Sequence, residues 1–217
     1  EGLHPTVVGS FDVLFATSTK FNQTPKATPR PFDAKRDGLV CGEGSGIVIL
    51  EDYDLAKKRK AKIYAEIIGY TSFGNGSHVS ESSREAITAC INETLNRANL
   101  SPQDIDYINA HATATIQGDK EEAASIREIF GDTVPVSSLK GNIGHTLGAS
   151  GAIELIASLI MMEKSRIYPT LNLKKPANDC QGINHIMQPL AKKINILLKN
   201  CFAFGGINAS LVCKKDA

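Results

Sequence analysis

Apolar and polar residues recur along this chain with two different periods. Short apolar or β-branched runs at 47–50, 63–70, 107–110 and 135–138 predict strands. Apolar residues recur at helical spacing after Ser82, after Asp119 and from Ala149 onward, so each of these stretches predicts an amphipathic helix. Ser82 and Asp119 each stand three residues before a glutamate, which predicts a capping box at both helix starts. The tail at 195–213 predicts two strands joined by a Gly-Gly turn.

Strands therefore alternate with helices and end in a hairpin, which predicts an α/β fold with a covered, mostly parallel sheet. In open α/β sheets the chemistry lies beyond the carboxyl ends of the strands. His111 follows one predicted strand, Lys140 follows another, and Phe204 stands at the terminal turn. We expect these three side chains to lie near one another at that edge of the sheet.

The charge balance excludes some partners. The chain has 24 Lys+Arg and 23 Asp+Glu, a net charge of +1, so nothing in bulk electrostatics favours nucleic acid or an anionic membrane. Its longest apolar run, 155–162, is too short to span a membrane, and its first residues do not resemble an export signal. The basic run at 57–60 is either the solvated end of a helix or a docking patch for an acidic partner.

Five cysteines are scattered along the chain without a C-x-x-C pair, which argues against a disulfide framework and a zinc site. A reducing, cytosolic setting is therefore expected. Four of these cysteines are predicted to be small core residues and the fifth, Cys180, a loop residue; the four are Cys41, Cys90, Cys201 and Cys213.

The stretch 138–154 places Lys140, His145 and Glu154 among glycines and aliphatic residues. Charged groups buried in such a run must be paired or must shift their pKa, which makes them candidates for chemistry. The plainer alternative is a glycine-rich turn that leads into a core helix. With His111, two imidazoles that donate to one carbonyl oxygen would form an oxyanion hole, and N–H groups at the Gly-Gly turn could form a second. The chain has no G-x-S-x-G and no cysteine at a strand-to-helix turn, so it lacks a clear nucleophile.

Several ordered motifs carry a family resemblance. They are H-A-T-A-T at 111–115, K-G-x-x-G-H at 140–145, G-A-x-G at 148–151 and F-A-F-G-G at 202–206, with R-P-F-D at 30–33 and G-E-G at 42–44 upstream. Together they closely resemble the β-ketoacyl-[acyl carrier protein] synthases of the thiolase superfamily. The resemblance implies a thiolase-like layered α/β/α fold with a mixed, mostly parallel sheet. Residues 1–62 would end the N-terminal half of a ketosynthase, and 63–217 would form its C-terminal half.

The resemblance implies a decarboxylative Claisen condensation of malonyl-carrier protein with an acyl chain held on a cysteine, in fatty acid or polyketide synthesis. His111 and His145 would bind the malonyl thioester oxygen as neutral donors. Lys140 and Glu154 would maintain the electrostatics of the site, or form a buried structural ion pair.

The resemblance also implies substrate-binding residues. Thr113 and Thr115 would hydrogen-bond the pantetheine arm, although β-branched residues after a strand could equally be local turn formers. Phe204 would gate the acyl pocket or simply pack in the core. Gly205, at the hairpin turn, and His78, in the glycine- and serine-rich loop after the second predicted strand, complete this set.

No cofactor is implied, because 4'-phosphopantetheine arrives on the carrier protein. Some family members bind a monovalent cation, here near Asn109, Glu154 and Asn200. The implied partners are acyl carrier protein, the N-terminal half of the ketosynthase, and a second subunit in a homodimer or ketosynthase heterodimer. A metal site on the two histidines is disfavoured, because neither has a third ligand at a recognised spacing.

Two departures from the family pattern affect these expectations. Ala112 stands where the family usually has glycine, which is tolerable if its φ is negative. The nucleophilic cysteine would lie upstream of the first residue, so the chain is expected to be a fragment, a cleaved product or one piece of a split protein. The alternative is a non-catalytic partner subunit that resembles a chain-length factor. The chain keeps four polar site residues together, namely His111, Lys140, His145 and Glu154. Because buried polar groups cost stability, this favours a catalytic ketosynthase over a non-catalytic partner.

Overall fold

The computed structural model describes residues 2–76 and 83–216. His78 and Ser82 lie outside these ranges, and the role expected of His78 stays a prediction. The α-helices in the described ranges are α1 Pro5–Val13, α2 Tyr53–Lys58, α3 Arg84–Ala98, α4 Ile116–Phe130, α5 Lys140–Ile143 and α6 Ser150–Lys164. Among the described residues, no helix is long and apolar enough to cross a membrane.

The strands form a large sheet and a small one. Their bounds are β1 Ala65–Gly74, β2 Tyr107–Asn109, β3 Pro135–Ser137, β4 Arg166–Ile167, β5 Asn184–His185, β6 Leu190–Ala191, β7 Ile196–Ala203 and β8 Ile207–Lys215. The large sheet has the order β1-β8-β7-β2-β3-β5, and β4 pairs with β6 in the small one. The β7, β2, β3 and β5 strands are parallel, whereas β1, β8 and β7 are antiparallel. The mixed α/β sheet and the terminal hairpin are therefore confirmed.

The central strands alternate their side chains between two apolar layers. Tyr107 and Leu197 belong to a core cluster with residues of α6, whereas Ile108 and Leu198 belong to a cluster with residues of α3 and α4. Successive strand residues face opposite sides of a sheet, so each side is covered by helices. The layered α/β/α arrangement implied by the resemblance is confirmed.

Segment 1–62 contributes to the same core. Phe32 is fully buried in the layer with α3 and α4, and its backbone N–H donates to Asp119 Oδ2 at 2.6 Å. The division between two ketosynthase halves at residue 62 stays a prediction.

The prediction of a strand at 47–50 is wrong, because no strand forms there. This segment has no regular secondary structure and no strand partner among the described residues, and Ile47 and Ile49 are 87% and 86% exposed. Strand propensity measures how well a side chain fits a half-buried pleated surface. The described residues offer this segment no such surface.

The capping box predicted at Asp119 is also wrong. Helix α4 begins at Ile116 with Thr115 at its N-cap, so Asp119 and Glu122 lie inside the helix and are buried. Helix α3 has its N-cap at Ser83, one residue later than the predicted capping box requires, and Ser83 Oγ accepts from the N–H of Ala86 at 3.3 Å.

Two residues of the basic run at 57–60, which begins in the last turn of α2, form ion pairs at the surface. Lys57 pairs with Asp216 at 2.9 Å, and Arg59 pairs with Glu51 at 2.6 Å. These ion pairs favour the solvated helix end over a docking patch for an acidic partner.

Candidate active site

The two predicted histidines lie together at the carboxyl edge of the parallel strands. Their ring centroids are 5.4 Å apart, with the rings nearly perpendicular. His111 follows β2, and His145 follows the short helix α5 that begins after β3. The ring of Phe202 lies 5.7 Å from that of His111, on the side of the hairpin. The expected meeting of groups from separate strand ends is confirmed for His111 and Lys140, whose Nζ lies 2.6 Å from the backbone oxygen of His111, whereas Phe204 packs against Phe11.

Lys140 connects the histidines to Glu154. Its Nζ lies 2.6 Å from Glu154 Oε1, 2.6 Å from the backbone oxygen of His111 and 3.5 Å from His111 Nδ1. Helix α6 supplies Glu154 from its buried face, and the Lys140 side chain is fully buried. An ammonium group has three protons to donate, and these three acceptors surround it.

The hydrogen bonds around each imidazole indicate its tautomer. The N–H of Leu147 donates to His145 Nδ1 at 3.3 Å, and Ser150 Oγ lies 2.9 Å from the same nitrogen. Lysine can only donate, so His111 Nδ1 faces Lys140 as an acceptor. Because Nδ1 accepts in both rings, a neutral imidazole at either position carries its proton on Nε2.

Burial and charge keep both imidazoles neutral. Burial first, and then the ammonium of Lys140, lower the pKa of His145 to about 3, whereas Glu154 opposes that shift. The same two causes hold the pKa of His111 well below its usual range. Both rings are therefore neutral hydrogen-bond donors at pH 7.

Glu122, which the sequence reasoning treated as part of a cap, fixes the backbone at His111. Its Oε1 accepts from the N–H of His111 at 2.8 Å, and its Oε2 accepts from the N–H of Ala112 at 2.7 Å. Burial raises the pKa of Glu122, and these backbone bonds oppose the increase. Ala112 does not have a positive φ, so the expected tolerance of alanine at this position is confirmed.

Lys199 is a second site residue that the sequence reasoning missed. Its Nζ lies 2.6 Å from Glu154 Oε2 and also contacts the backbone oxygen of Asn200. Glu154 is therefore held between two ammonium groups. Burial alone would raise the pKa of Glu154, but Lys140 and Lys199 outweigh it and lower that pKa.

Both missed residues had a signal in the sequence. Lys199 is a charged residue inside the apolar run of a predicted strand, and a lysine there needs a partner. Glu122 stands four residues before Ile126, on the face of the helix that carries the apolar residues.

Glycines place His145 against the upstream segment. Helix α5 ends at Gly144, which has φ +70°, and a Cβ there would lie 2.8 Å from the oxygen of Val40. This close approach lets the N–H of His145 donate to Val40 O at 2.7 Å and the N–H of Gly42 donate to His145 O at 2.9 Å. The upstream glycine motif thus holds the backbone of the second histidine.

The two predicted pantetheine-binding threonines lie together. Thr113 Oγ1 and Thr115 Oγ1 are 3.0 Å apart, and Ala114 between them has φ +72°. The N–H of Ala114 donates to Asp119 Oδ1 at 3.0 Å, which stabilises this turn. The contact is compatible with both roles expected for the threonines, which are pantetheine binding and formation of a local turn.

Phe204 and Gly205 lie in the turn between β7 and β8, where Gly205 has φ +80°. The ring of Phe204 packs 5.6 Å from that of Phe11 and is 40% exposed. Phe204 therefore does not pack in the core, so that expectation for it is wrong. Its gating role stays a prediction.

The sheet separates the three residues expected near a monovalent cation. Asn109 and Lys199 are register partners on β2 and β7, on the face covered by α6. Asn200, the next residue along β7, faces α4, where its Nδ2 donates to Glu122 Oε1 at 3.1 Å and its Oδ1 accepts from Ser210 Oγ at 2.9 Å. The side chains of Asn200 and Glu154 thus lie on opposite faces of the sheet.

The cysteines differ in part from expectation. Cys90 and Cys213 are buried core residues as predicted, but Cys41 and Cys201 are only half-buried. The loop assignment for Cys180 is wrong, because this residue is fully buried in the layer with α3 and α4. Burial raises the pKa of the thiols of Cys41, Cys90, Cys180 and Cys213, which is the opposite of what activates a nucleophile.

The chain is similar in sequence to known 3-oxoacyl-[acyl-carrier-protein] synthases. The chain is 42% identical over 216 residues to the mitochondrial 3-oxoacyl-[acyl-carrier-protein] synthase of Arabidopsis thaliana, covering 94% of the chain and 46% of that relative. It is 39% identical over 206 residues to 3-oxoacyl-[acyl-carrier-protein] synthase 1 of Escherichia coli, covering 94% of the chain and 50% of that relative. The chain thus spans about half the length of the curated relatives it matches.

Solved structures show the same relationship. A β-ketoacyl synthase from Burkholderia phymatum has a TM-score of 0.95 and 41% identity, over 100% of this chain and 53% of that one. A type II PKS acyl-carrier protein in complex with its ketosynthase bound to the hexaketide matches with a TM-score of 0.94 and 36% identity, over 100% and 54%. The ishigamide ketosynthase/chain length factor matches with a TM-score of 0.92 and 30% identity, over 100% and 52%.

A family model described as "Beta-ketoacyl synthase, C-terminal domain" matches residues 64–174. This range includes both histidines, Lys140, Glu122 and Glu154, and it covers more than half of the chain. The chain therefore belongs to the β-ketoacyl synthase family.

Proposed function

We propose that this chain supplies the malonyl-handling part of a decarboxylative Claisen condensation in fatty acid or polyketide synthesis. The observation that carries the proposal is the pair of neutral imidazoles whose Nδ1 atoms both accept hydrogen bonds. This leaves two Nε2–H groups, from His111 and His145, free to donate to one thioester oxygen.

In the proposed reaction, the bond between the malonyl α-carbon and its carboxylate breaks and carbon dioxide leaves. The electron pair moves into the thioester enolate, whose oxygen is stabilised by the two imidazole donors. The enolate carbon then attacks the acyl carbonyl held on a cysteine outside this chain, and the thiolate of that cysteine leaves. Donors that are already oriented need no reorganisation as negative charge develops.

Lys140 is proposed as a positioning residue for His111. Its contacts with the backbone oxygen and Nδ1 of His111 fix both the position and the tautomer of the ring, and Glu154 balances its charge. Glu122 holds the same backbone from the other side of the sheet.

Acyl carrier protein and a second ketosynthase subunit are the proposed partners. Two similar structures support them, since one is a ketosynthase with acyl-carrier protein and the other a ketosynthase/chain length factor. The pantetheine arm of the carrier would run past Thr113 and Thr115, with Phe204 and Gly205 at the acyl pocket. A cytosolic setting stays a prediction, because one relative is named a mitochondrial synthase.

The monovalent cation implied by the resemblance does not fit the residues present. Both carboxylate oxygens of Glu154 already contact lysine ammonium groups, and the side chain of Asn200 faces the opposite side of the sheet. The proposed reaction therefore has no step that uses a bound cation.

Decarboxylation of malonyl-carrier protein by the protein at its natural length tests the proposal. His145→Ala should reduce carbon dioxide release on the order of a hundredfold or more, because one oxyanion donor is lost. The matched control is His4→Ala, at an exposed histidine that caps α1. Undiminished carbon dioxide release from His145→Ala would remove this residue from its proposed role.

A second test uses the chain by itself. Incubated with an acyl carrier protein that bears an acyl group, it should gain no covalent acyl adduct by intact-mass measurement. An adduct mapped to one of its five cysteines would contradict the proposal that the nucleophile lies elsewhere.

The second candidate is a non-catalytic subunit resembling a chain-length factor, and the 30% identity to a ketosynthase/chain length factor structure favours its consideration. The paired histidines with their Lys140–Glu154–Lys199 network favour catalysis, because a scaffold gains nothing from buried charges that cost stability. Carbon dioxide release by the unmodified protein separates the two, since only the catalytic subunit is expected to show it.

A further inference from the structure

The structure places a lysine where a free cation was expected. Lys199 Nζ is 2.6 Å from Glu154 Oε2, and both side chains are almost completely buried. The ammonium also contacts the backbone oxygen of Asn200. A carboxylate oxygen and a backbone oxygen are the kinds of ligand that hard cations take in proteins.

A further oxygen lies on the same face of the sheet. Asn109 is the register partner of Lys199 on the neighbouring parallel strand, and its Nδ2 donates to Tyr107 Oη at 3.3 Å. Its Oδ1 is buried and has no hydrogen-bond partner among the described residues. Buried polar atoms without partners are rare, so this oxygen marks a place suited to a positive charge.

From this arrangement, we propose that the ammonium of Lys199 replaces a bound monovalent cation beside Glu154, as a cation tethered to strand β7. An ammonium group and K⁺ carry the same charge and are similar in size. Lys199 is thus a positioning residue that holds Glu154, and through it Lys140, without needing K⁺ or Na⁺ from solution.

The charge balance of the site agrees with this assignment. Burial lowers the pKa of a lysine, but Glu154, with Cys201 and Glu122, outweighs burial and raises the pKa of Lys199, so the group stays charged at neutral pH. A separate cation beside Glu154 would add a third positive charge next to Lys140 and Lys199, which already contact its two carboxylate oxygens. Such repulsion is strong where water is excluded.

Thermal unfolding of the protein at its natural length tests the replacement. Salts of K⁺ and of tetramethylammonium, which is too large for the site, are compared at equal ionic strength. The unmodified protein should have the same unfolding temperature in both. Lys199→Ala should unfold at a lower temperature in tetramethylammonium and should recover by about 5 °C in saturating K⁺, because the vacated oxygens then bind the ion.

Two control variants separate this effect from packing. Lys199→Met keeps an apolar chain in the space, so its unfolding temperature should be lower in both salts and should not recover in K⁺. Lys193→Ala, at an exposed lysine just before β7, should behave like the unmodified protein. A role limited to packing would not make any variant respond to K⁺.

Saturable stabilisation of the unmodified protein by K⁺ would overturn the inference, and so would a Lys199→Ala variant that does not respond to K⁺. If Lys199→Ala does not fold, the response of the unmodified protein's unfolding temperature to K⁺ is the deciding measurement. Unfolding does not require acyl transfer, so failure of this test would leave the proposed condensation standing. Failure of the decarboxylation test would likewise leave this inference standing.

Discussion

Lys140 and Glu154 form an ion pair with 2.6 Å between Nζ and Oε1, and neither side chain is exposed to solvent. Burying two charges is costly, and their attraction offsets that cost only with good geometry and further hydrogen bonds. Here the further contacts are those that Lys140 makes with His111 and that Glu154 makes with Lys199. The pair therefore couples the stability of the fold to the geometry of the site.

Glu154→Gln should destabilise the protein by about 3–5 kcal/mol, because two buried ammonium groups lose the carboxylate that contacts both of them. Denaturant unfolding measures the change. The control is Glu163→Gln on the same helix, where the pair with Lys62 is exposed and little change is expected. Equal effects of the two substitutions would contradict the buried network.

Stability should fall as the pH is lowered through the histidine range. The pKa of His145 is lowered from 6.5 to about 3 by burial and by Lys140. Below pH 6.5 the unfolded chain therefore takes up a proton that the folded chain refuses, which costs up to about 1.4 kcal/mol per pH unit. His145→Gln should lose less stability between pH 7 and pH 5 in urea unfolding.

The test compares the pH dependence of stability in His145→Gln with that in the unmodified protein, because other groups also titrate in this range. Burial raises the pKa of Asp119 to about 7, so its contribution to stability is lost as the pH rises and acts in the opposite sense. Gln103→Ala, at an exposed residue that does not titrate, is the control and should follow the unmodified protein. Identical pH profiles for His145→Gln and the unmodified protein would show that His145 titrates normally.

Glu122→Gln should destabilise the protein by about 1–3 kcal/mol, because an amide group would face a backbone N–H of His111 or Ala112. Carbon dioxide release should also fall, since the first histidine loses its backbone anchor. Glu121→Gln, next to it but paired with Lys120 at the surface, should change neither quantity. Similar behaviour of the two variants in unfolding and decarboxylation would rule out the anchoring role.

Gly144→Ala should cost at least about 1–2 kcal/mol, because an L-residue is strained at φ +70°. The new Cβ would also lie 2.8 Å from Val40 O, which displaces the backbone of His145. Gly148→Ala is the matched control, since it has no positive φ and a Cβ there meets nothing within 4 Å. Both unfolding and decarboxylation should distinguish the two, and a tolerated Gly144→Ala would contradict the structure.

The periodicity of the sequence predicted the alternation of strands and helices from 63 to 164 and the terminal hairpin, but it did not predict α1 or the short strands β4, β5 and β6. It failed at 47–50, because β-branched residues report a preference for a sheet and not the presence of a partner strand. It also placed Asp119 at a helix start. A carboxylate near a helix start can bind N–H groups of its own helix or those of another segment, and spacing alone does not distinguish the two.

The site was predictable where motif and strand end coincide, as for His111, Lys140 and His145. Lys199 was not predicted, because its partner Glu154 is distant in sequence and is brought close only by the fold. Glu122 was not predicted, because its spacing from Asp119 also matches a capping box of its own helix. Buried polar residues of this kind become interpretable only when each hydrogen bond is assigned.

Two neighbouring residues of strand β7 bind partners on opposite faces of the sheet. Lys199 faces α6 and binds Glu154, whereas Asn200 faces α4 and binds Glu122. A slip of β7 by one residue would exchange these faces, because side chains alternate along a strand. The lysine would then lose its carboxylate partner and Glu122 its amide donor. A one-residue shift of an entirely apolar strand would separate no ion pair. In β7 it would separate Lys199 from Glu154 and Asn200 from Glu122, so these two contacts fix the register of the strand at the centre of the sheet.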